Sequence, residues 1–149
     1  MAQDDKAAVR ARGHCLCGAI SYQVEAEPAA VVLCHCDDCQ RHSGAAFSVN
    51  VIVPRSALEI EGSPRVYGTT GTENGNDRER LFCGECGSPM FTMLAEQPEI
   101  AIVKAGTLDD RSGFAPTAEI WCQRAHEWVD TSQTRVRFEG DLAPGQQAR

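Results

Sequence analysis

Short runs rich in Val, Ile and Phe alternate with polar residues along most of the chain, and glycine and proline recur between them. Alternate side chains of an extended segment share a face. The pattern therefore predicts strands over Val9 to Cys15, Ala19 to Glu25, Ala30 to Cys34, Ala46 to Val53, Leu58 to Glu61, Glu79 to Phe82, Met90 to Leu94, Glu99 to Gly106 and Ala118 to Cys122. Asp37 to Ser43, and a shorter stretch at Leu108 to Arg111, offer helical turns. Thr69 to Arg78 is polar throughout and reads as a mobile loop. The chain from Gly140 onward, with Pro144, Gly145 and two glutamines, reads as a poorly ordered tail. The fold class is all-β with short helical turns, and 149 residues without an internal repeat, heptad or linker suit one domain. That domain is expected over 10–139, with 1–9 and 140–149 as flexible flanks.

Composition removes whole classes of partner. The formal charge is −7 and the 14 Lys and Arg form no run, which disfavours phosphate recognition and so a nucleic-acid partner. No stretch approaches the roughly 18 apolar residues that a membrane span needs. The opening Met1-Ala2-Gln3-Asp4-Asp5-Lys6 is polar and acidic, so no export signal is expected and a cytoplasmic location follows. Nothing in the composition sets an oligomeric state.

Eight cysteines change the picture, because seven fall into three tight clusters: Cys15/Cys17, Cys34/Cys36/Cys39 and Cys83/Cys86. A disulfide framework suits secreted chains, whereas cytosolic thiols stay reduced. Zinc-bound sulfurs need lie only about 3.8 Å apart, given Zn–S bonds of about 2.3 Å in a tetrahedron. Zinc takes four ligands where it holds a fold and typically three plus an open position where it does chemistry. Seven cysteines divide as four and three. In Gly13-His14-Cys15-Leu16-Cys17-Gly18 an extended backbone would point both thiols one way and Leu16 the other, toward the core. Phe82-Cys83-Gly84-Glu85-Cys86-Gly87 reads as a zinc knuckle. Cys34-His35-Cys36-Asp37-Asp38-Cys39 reads as an extended pair running into a turn that returns a third sulfur. A competing partition pairs Cys36 and Cys39 with Cys83 and Cys86 as a zinc ribbon.

These segments, the second continuing as Gln40-Arg41-His42-Ser43-Gly44, resemble the signature of the glutathione-dependent formaldehyde-activating enzyme family, which includes centromere protein V. The resemblance implies a complex β fold related to methionine-R-sulfoxide reductases. It also implies a structural zinc on Cys15, Cys17, Cys83 and Cys86 and a catalytic zinc on Cys34, Cys36 and Cys39. Many members carry a histidine after the late proline, where this chain reads Pro116-Thr117-Ala118-Glu119-Ile120-Trp121.

An open three-thiolate zinc could capture and orient a substrate thiol such as glutathione. Formaldehyde brought to its sulfur would give S-hydroxymethylglutathione, so the leading expectation is a carbon–sulfur lyase-type enzyme acting on a thiol adduct. A non-catalytic zinc scaffold for protein partners is the alternative. Methionine sulfoxide reduction would need a nucleophile off the metal, for which only Cys122 qualifies; burial at a strand end is its expected fate. Arg41 and His42 read as a solvated turn rather than a carboxylate clamp. His14 and His35 should face away from the metals, with His35 packing or bonding behind a ligand. His126 reads as a surface histidine, and Trp121 and Trp128 as core or pocket wall.

Overall fold

The computed structural model describes residues 8–131 and 136–142. Eleven strands form two sheets among these residues. The strands are β1 (Ala11–His14), β2 (Ser21–Val24), β3 (Ala30–Cys34), β4 (Ser48–Pro54), β5 (Leu58–Glu61), β6 (Arg65–Thr70), β7 (Asp77–Phe82), β8 (Pro89–Leu94), β9 (Gln97–Lys104), β10 (Ala118–Ile120) and β11 (Val136–Arg137). One α-helix, α1, covers Asp37–Ser43. The smaller sheet runs β1-β2-β5 and the eight-stranded one β11-β10-β3-β4-β9-β8-β7-β6. Pairing is antiparallel except that β10 lies parallel to both β3 and β11.

The register of the large sheet sorts its side chains into two different faces. Val31 lies across from Val51, Val51 from Val103, Val103 from Phe91 and Phe91 from Leu81, all buried. The small sheet covers this row, with the Tyr22 ring meeting Phe91 edge-on at 5.2 Å. Full burial of such side chains contributes roughly 1.5–3 kcal/mol each, which makes this face the main core. The opposite face carries a second row, in which Arg80 lies across from Thr92, Thr92 from Ile102 and Ile102 from Ile52. Two residues further along, Lys104 faces Asn50 and Asn50 faces Val32. That face is the floor of a cavity.

The expected strands and the Asp37 to Ser43 helix are present, and two readings need correction. The polar stretch from Thr69 is not one loop throughout: its two ends belong to β6 and β7, which form a hairpin whose turn occupies 71–76, and β6 sits at the sheet edge where polar side chains face solvent. Leu108 makes a bridge to Gly13 instead of opening a helical turn; a single 3-10 turn precedes it at Ala105–Thr107. Gly140 accepts a hydrogen bond from Trp121 N–H at 2.9 Å. Pro144, Gly145 and the glutamines of the expected tail lie outside the described residues, as do 1–7. No helix among the described residues is long and apolar enough to cross a membrane.

Candidate metal centres

The cysteines gather in space as four and three. The sulfurs of Cys15, Cys17, Cys83 and Cys86 all lie within 4.8 Å of one another, and so do those of Cys34, Cys36 and Cys39. The zinc-ribbon partition of Cys36 and Cys39 with Cys83 and Cys86 is not what the chain adopts.

The four-cysteine group is built from two similar turns. Gly18 N–H donates to Cys15 O at 3.1 Å and Gly87 N–H to Cys83 O at 2.9 Å. Both glycines take a left-handed backbone, with φ of 80° and 76°, which other residues adopt at a cost. Leu16 does not point into the core: the segment is a turn rather than a strand, so Leu16 sits at its tip, 85% exposed. The turn aligns the thiols instead, with Cys17 Sγ 3.7 Å from Cys15 Sγ and 3.7 Å from Cys83 Sγ. Those separations match the edge of a zinc–sulfur tetrahedron, about 3.8 Å. Backbone N–H groups of Ile20 and Glu85 donate to Cys15 Sγ at 3.2 Å and Cys83 Sγ at 3.4 Å. Sulfurs that crowd together while collecting N–H donors suit thiolates around a cation better than four neutral thiols.

The triad stands where β3 meets α1. Cys34 ends the strand, Cys36 caps the helix by accepting Cys39 N–H at 3.3 Å, and Cys39 follows in the first turn. All three are buried. Donation from the Cys34 and Cys36 thiols, reinforced by the charges of Lys104 and Arg80, holds Cys39 down at about 2. Cys34 is driven far up, first by its hydrogen bonding to Cys36 and Cys39 and then by burial. Hydrogen bonding to Cys34 lowers Cys36, yet Cys39 and burial together push it up to about 11. Three thiols thus share one negative charge, a state that a divalent cation would convert to three thiolates. No fourth His, Cys, Asp or Glu joins the triad's group among the described residues.

The triad opens onto the cavity over the large sheet, about 160 Å³ in volume. Val32, Ile52, Ile100 and Ile102 give it apolar walls, while Asn50, Arg80, Thr92 and Lys104 supply polar ones. Ile120 and Trp121 pack against the three cysteines. Trp121 turns there in the left-handed region at φ 55°, a strained conformation for a non-glycine residue. It is pocket wall, as expected, whereas Trp128 is 76% exposed and belongs to no core.

The remaining candidates are placed as follows. His35 faces away from the triad, buried behind it, with Nε2 3.5 Å from Glu119 Oε2 and its ring edge-on to Phe47. Glu119 also meets Arg137 Nε at 2.5 Å and the Cys122 thiol at 3.6 Å. Cys122 is half-buried on this side, outside the cavity, and neither completes the triad nor faces a substrate there. His14 donates from Nδ1 to Cys15 O at 2.8 Å and pairs with Asp109 at 3.2 Å, both on the surface. His126 is exposed, 2.8 Å from Gln40 Oε1. Arg41 is solvated; His42 is half-buried and its protonation is depressed, by burial first and then by Arg80 and Lys104. Sequence reasoning passed over Arg80, Lys104 and Thr92. For Thr92 and Lys104 the signal was a polar or charged residue beside an apolar run, whereas Arg80 stands among the charged residues of β7 and gave none.

The family model described as glutathione-dependent formaldehyde-activating enzyme matches residues 10–124. No curated protein matches the chain. The chain is similar to a crystal structure of a Rhodobacter sphaeroides protein, at 20% identity over 85% of this chain and 98% of that one, with a TM-score of 0.51. A likeness at that identity carries the fold and no activity.

Proposed function

The chain belongs to the glutathione-dependent formaldehyde-activating enzyme family, and on that premise we propose that it is a zinc-dependent carbon–sulfur lyase-type enzyme acting on a glutathione or other thiol adduct. Residues 10–139 form one zinc-binding domain that works in a reducing cytoplasm. Cys15, Cys17, Cys83 and Cys86 hold a structural zinc and Cys34, Cys36 and Cys39 a catalytic one. The observation that carries this reading is the position of the three-sulfur group. It opens onto the cavity without a fourth protein ligand among the described residues, while the four-sulfur group lies elsewhere.

Zinc on the triad would supply positive charge that keeps a substrate sulfur as thiolate at neutral pH. The chain's own residues do the rest by holding the reactants. A cavity of about 160 Å³ is smaller than the roughly 300–1,000 Å³ of drug-sized sites, so it suits the reactive end of a substrate rather than a whole tripeptide. Ile120 and Trp121 close one wall beside the sulfurs and exclude water from it. In the synthetic direction a sulfur–carbon bond forms to formaldehyde, the carbon–oxygen π bond opens, and the thiol proton ends on oxygen. No oxidant or reductant is needed. Thiols add to formaldehyde unaided, so the enzyme's contribution is orientation of sulfur and carbon within about 3.5 Å.

Native mass spectrometry of the purified protein with and without glutathione tests this. Two zinc ions per chain and a bound glutathione that is lost in Cys36→Ser are expected. One zinc and no affinity for any thiol would favour the non-catalytic scaffold.

A further inference from the structure

Arg80 is 5% exposed, yet no hydrogen bond or carboxylate partner reaches its guanidinium among the described residues. A buried guanidinium that no hydrogen bond holds is costly, so such a group calls for an acceptor. Asp38 and the Cys39 sulfur feel its charge, and Asp141 also borders the cavity, but among the described residues none of them comes within ion-pair distance of it. Glu96 is engaged by Arg78 at 2.8 Å, Glu73 by Arg124 at 3.0 Å and Asp38 by Thr72 at 2.7 Å. Directly across from Arg80, Thr92 is 3% exposed and its hydroxyl has no hydrogen-bond partner among the described residues. Both residues line the cavity that the triad opens onto. Lys104, diagonal to Thr92 across Ile102, adds a further donor: burial pushes its proton affinity down while the Cys39 sulfur pulls it up, and its Nζ donates to Ser48 at 3.0 Å and Asn50 at 2.9 Å.

Two independent deficits therefore meet on one patch of sheet: a guanidinium lacking a hydrogen-bonded acceptor and a hydroxyl lacking a partner. We propose that Arg80 and Thr92, assisted by Lys104, form a carboxylate-binding subsite beside the triad, so that the substrate is a thiol carrying a carboxylate close to its sulfur. This rests on the thiol-adduct reading and narrows it. A planar fork of N–H donors matches a carboxylate in bidentate fashion, and the Thr92 hydroxyl offers a third donor. The rival account makes the two cations a mere counterweight to the sulfurs. That account gives no use for the Thr92 hydroxyl and no preference among thiols of one length.

The test compares 3-mercaptopropionate, 2-mercaptoethanol and cysteamine, which share a two-carbon spacer and differ in the charge at its end, together with propionate, which lacks sulfur. Binding to the metal-loaded protein is followed by Trp121 fluorescence, and thiol ligation by absorption of the cobalt-substituted protein. The expected result is about tenfold tighter binding of 3-mercaptopropionate than of 2-mercaptoethanol, with cysteamine weakest. Arg80→Gln should reduce that ratio to near unity. Thr92→Val, which removes an unpartnered hydroxyl and should not lower the melting temperature, should reduce it several-fold. Equal binding of the three thiols by the unaltered protein, or an equal loss for all three in Arg80→Gln with no change in Thr92→Val, overturns the subsite. If no thiol perturbs cobalt while propionate still binds in an Arg80-dependent way, the thiol reading fails and the subsite stands. Silence from propionate and thiols alike removes both.

Discussion

Thr72 donates both its backbone N–H and its hydroxyl to Asp38, at 2.9 Å and 2.7 Å, so the turn of the β6–β7 hairpin is fastened to the helix that carries Cys39. Asp38 is partly desolvated, which raises its carboxyl, but the Thr72 donors and the Arg80 charge outweigh that and hold it below the usual carboxylate range. Gly71, Glu73 and Asn74 of the same turn border the cavity. Removing the hydroxyl in Thr72→Ala should cost about 1 kcal/mol or less, since the pair is largely exposed. Amides of 71–76 should then exchange up to about fivefold faster while the core strands are unaffected, as hydrogen exchange would register. Unchanged protection of the turn would mean that the contact does not restrain it.

Metal removal should act very differently at the two centres. Cys15 and Cys17 precede β2 while Cys83 and Cys86 join β7 to β8, so the four-sulfur group ties the two sheets together. The triad comes from one short stretch whose strand and helix have other contacts. Structural zinc binds small peptides with an apparent 10–16 kcal/mol, roughly the whole stability of a domain, about 5–15 kcal/mol. A stepwise chelator titration followed by circular dichroism should show one metal leaving without loss of strand signal and unfolding with the second. Cys83→Ser should fail to fold, and Cys36→Ser should remain folded. Loss of both metals with no spectral change would show that neither carries the fold.

Behind the triad, Glu119 is fully buried and Arg137 Nε reaches it from β11. Arg137→Ala withdraws a positive charge from a desolvated carboxylate, and breaking such a pair costs several kcal/mol when both partners are buried. Arg137 is 57% exposed, so solvent screening keeps the expected loss well below that of a fully buried pair. Chemical denaturation of the metal-loaded protein would measure it. Glu119→Gln in the same background should recover part of the loss, because the neutral amide no longer needs the cation. Failure of that recovery would assign the Arg137 effect to packing.

Alternation made most strands legible, since one face of the large sheet packs as an uninterrupted apolar row from Val31 to Leu81. The cysteine grouping was legible from spacing and family resemblance together. Other features depend on contacts that spacing does not encode. The edge strand β6 exposes Val66 and Tyr67 and carries no inward apolar set, so its sequence looks like a loop until β7 is seen beside it. Leu16 was misjudged because a thiol-aligning turn replaces the extended backbone that alternation presumes. Arg80 follows Arg78 in a mostly charged strand and Lys104 ends an apolar run, and in either setting a cation ordinarily faces solvent. Only cross-strand register reveals that both turn to one enclosed face.

The proton inventory of the triad fixes how its metal affinity should vary with pH. In the metal-free protein Cys39 is already a thiolate, held at about 2, whereas Cys36 lies at about 11 and Cys34 higher still. At neutral pH two of the three sulfurs therefore carry protons, and binding a divalent cation through all three must expel both. Affinity then rises with pH, since raising pH lowers the cost of stripping those protons, and it falls as pH drops. The expected slope is about two decades per pH unit between roughly pH 6 and 8, equivalent to two protons released per ion. Titration calorimetry in buffers of different ionisation enthalpy counts those protons directly. The Cys15→Ser and Cys17→Ser changes are unsuitable controls because they threaten the fold, but Cys36→Ser isolates one of the two protons and should halve the slope. A count near three would place a proton on Cys39 in the free protein and refute the sharing of charge among these thiols. A count near zero would mean that the cation does not bind through all three.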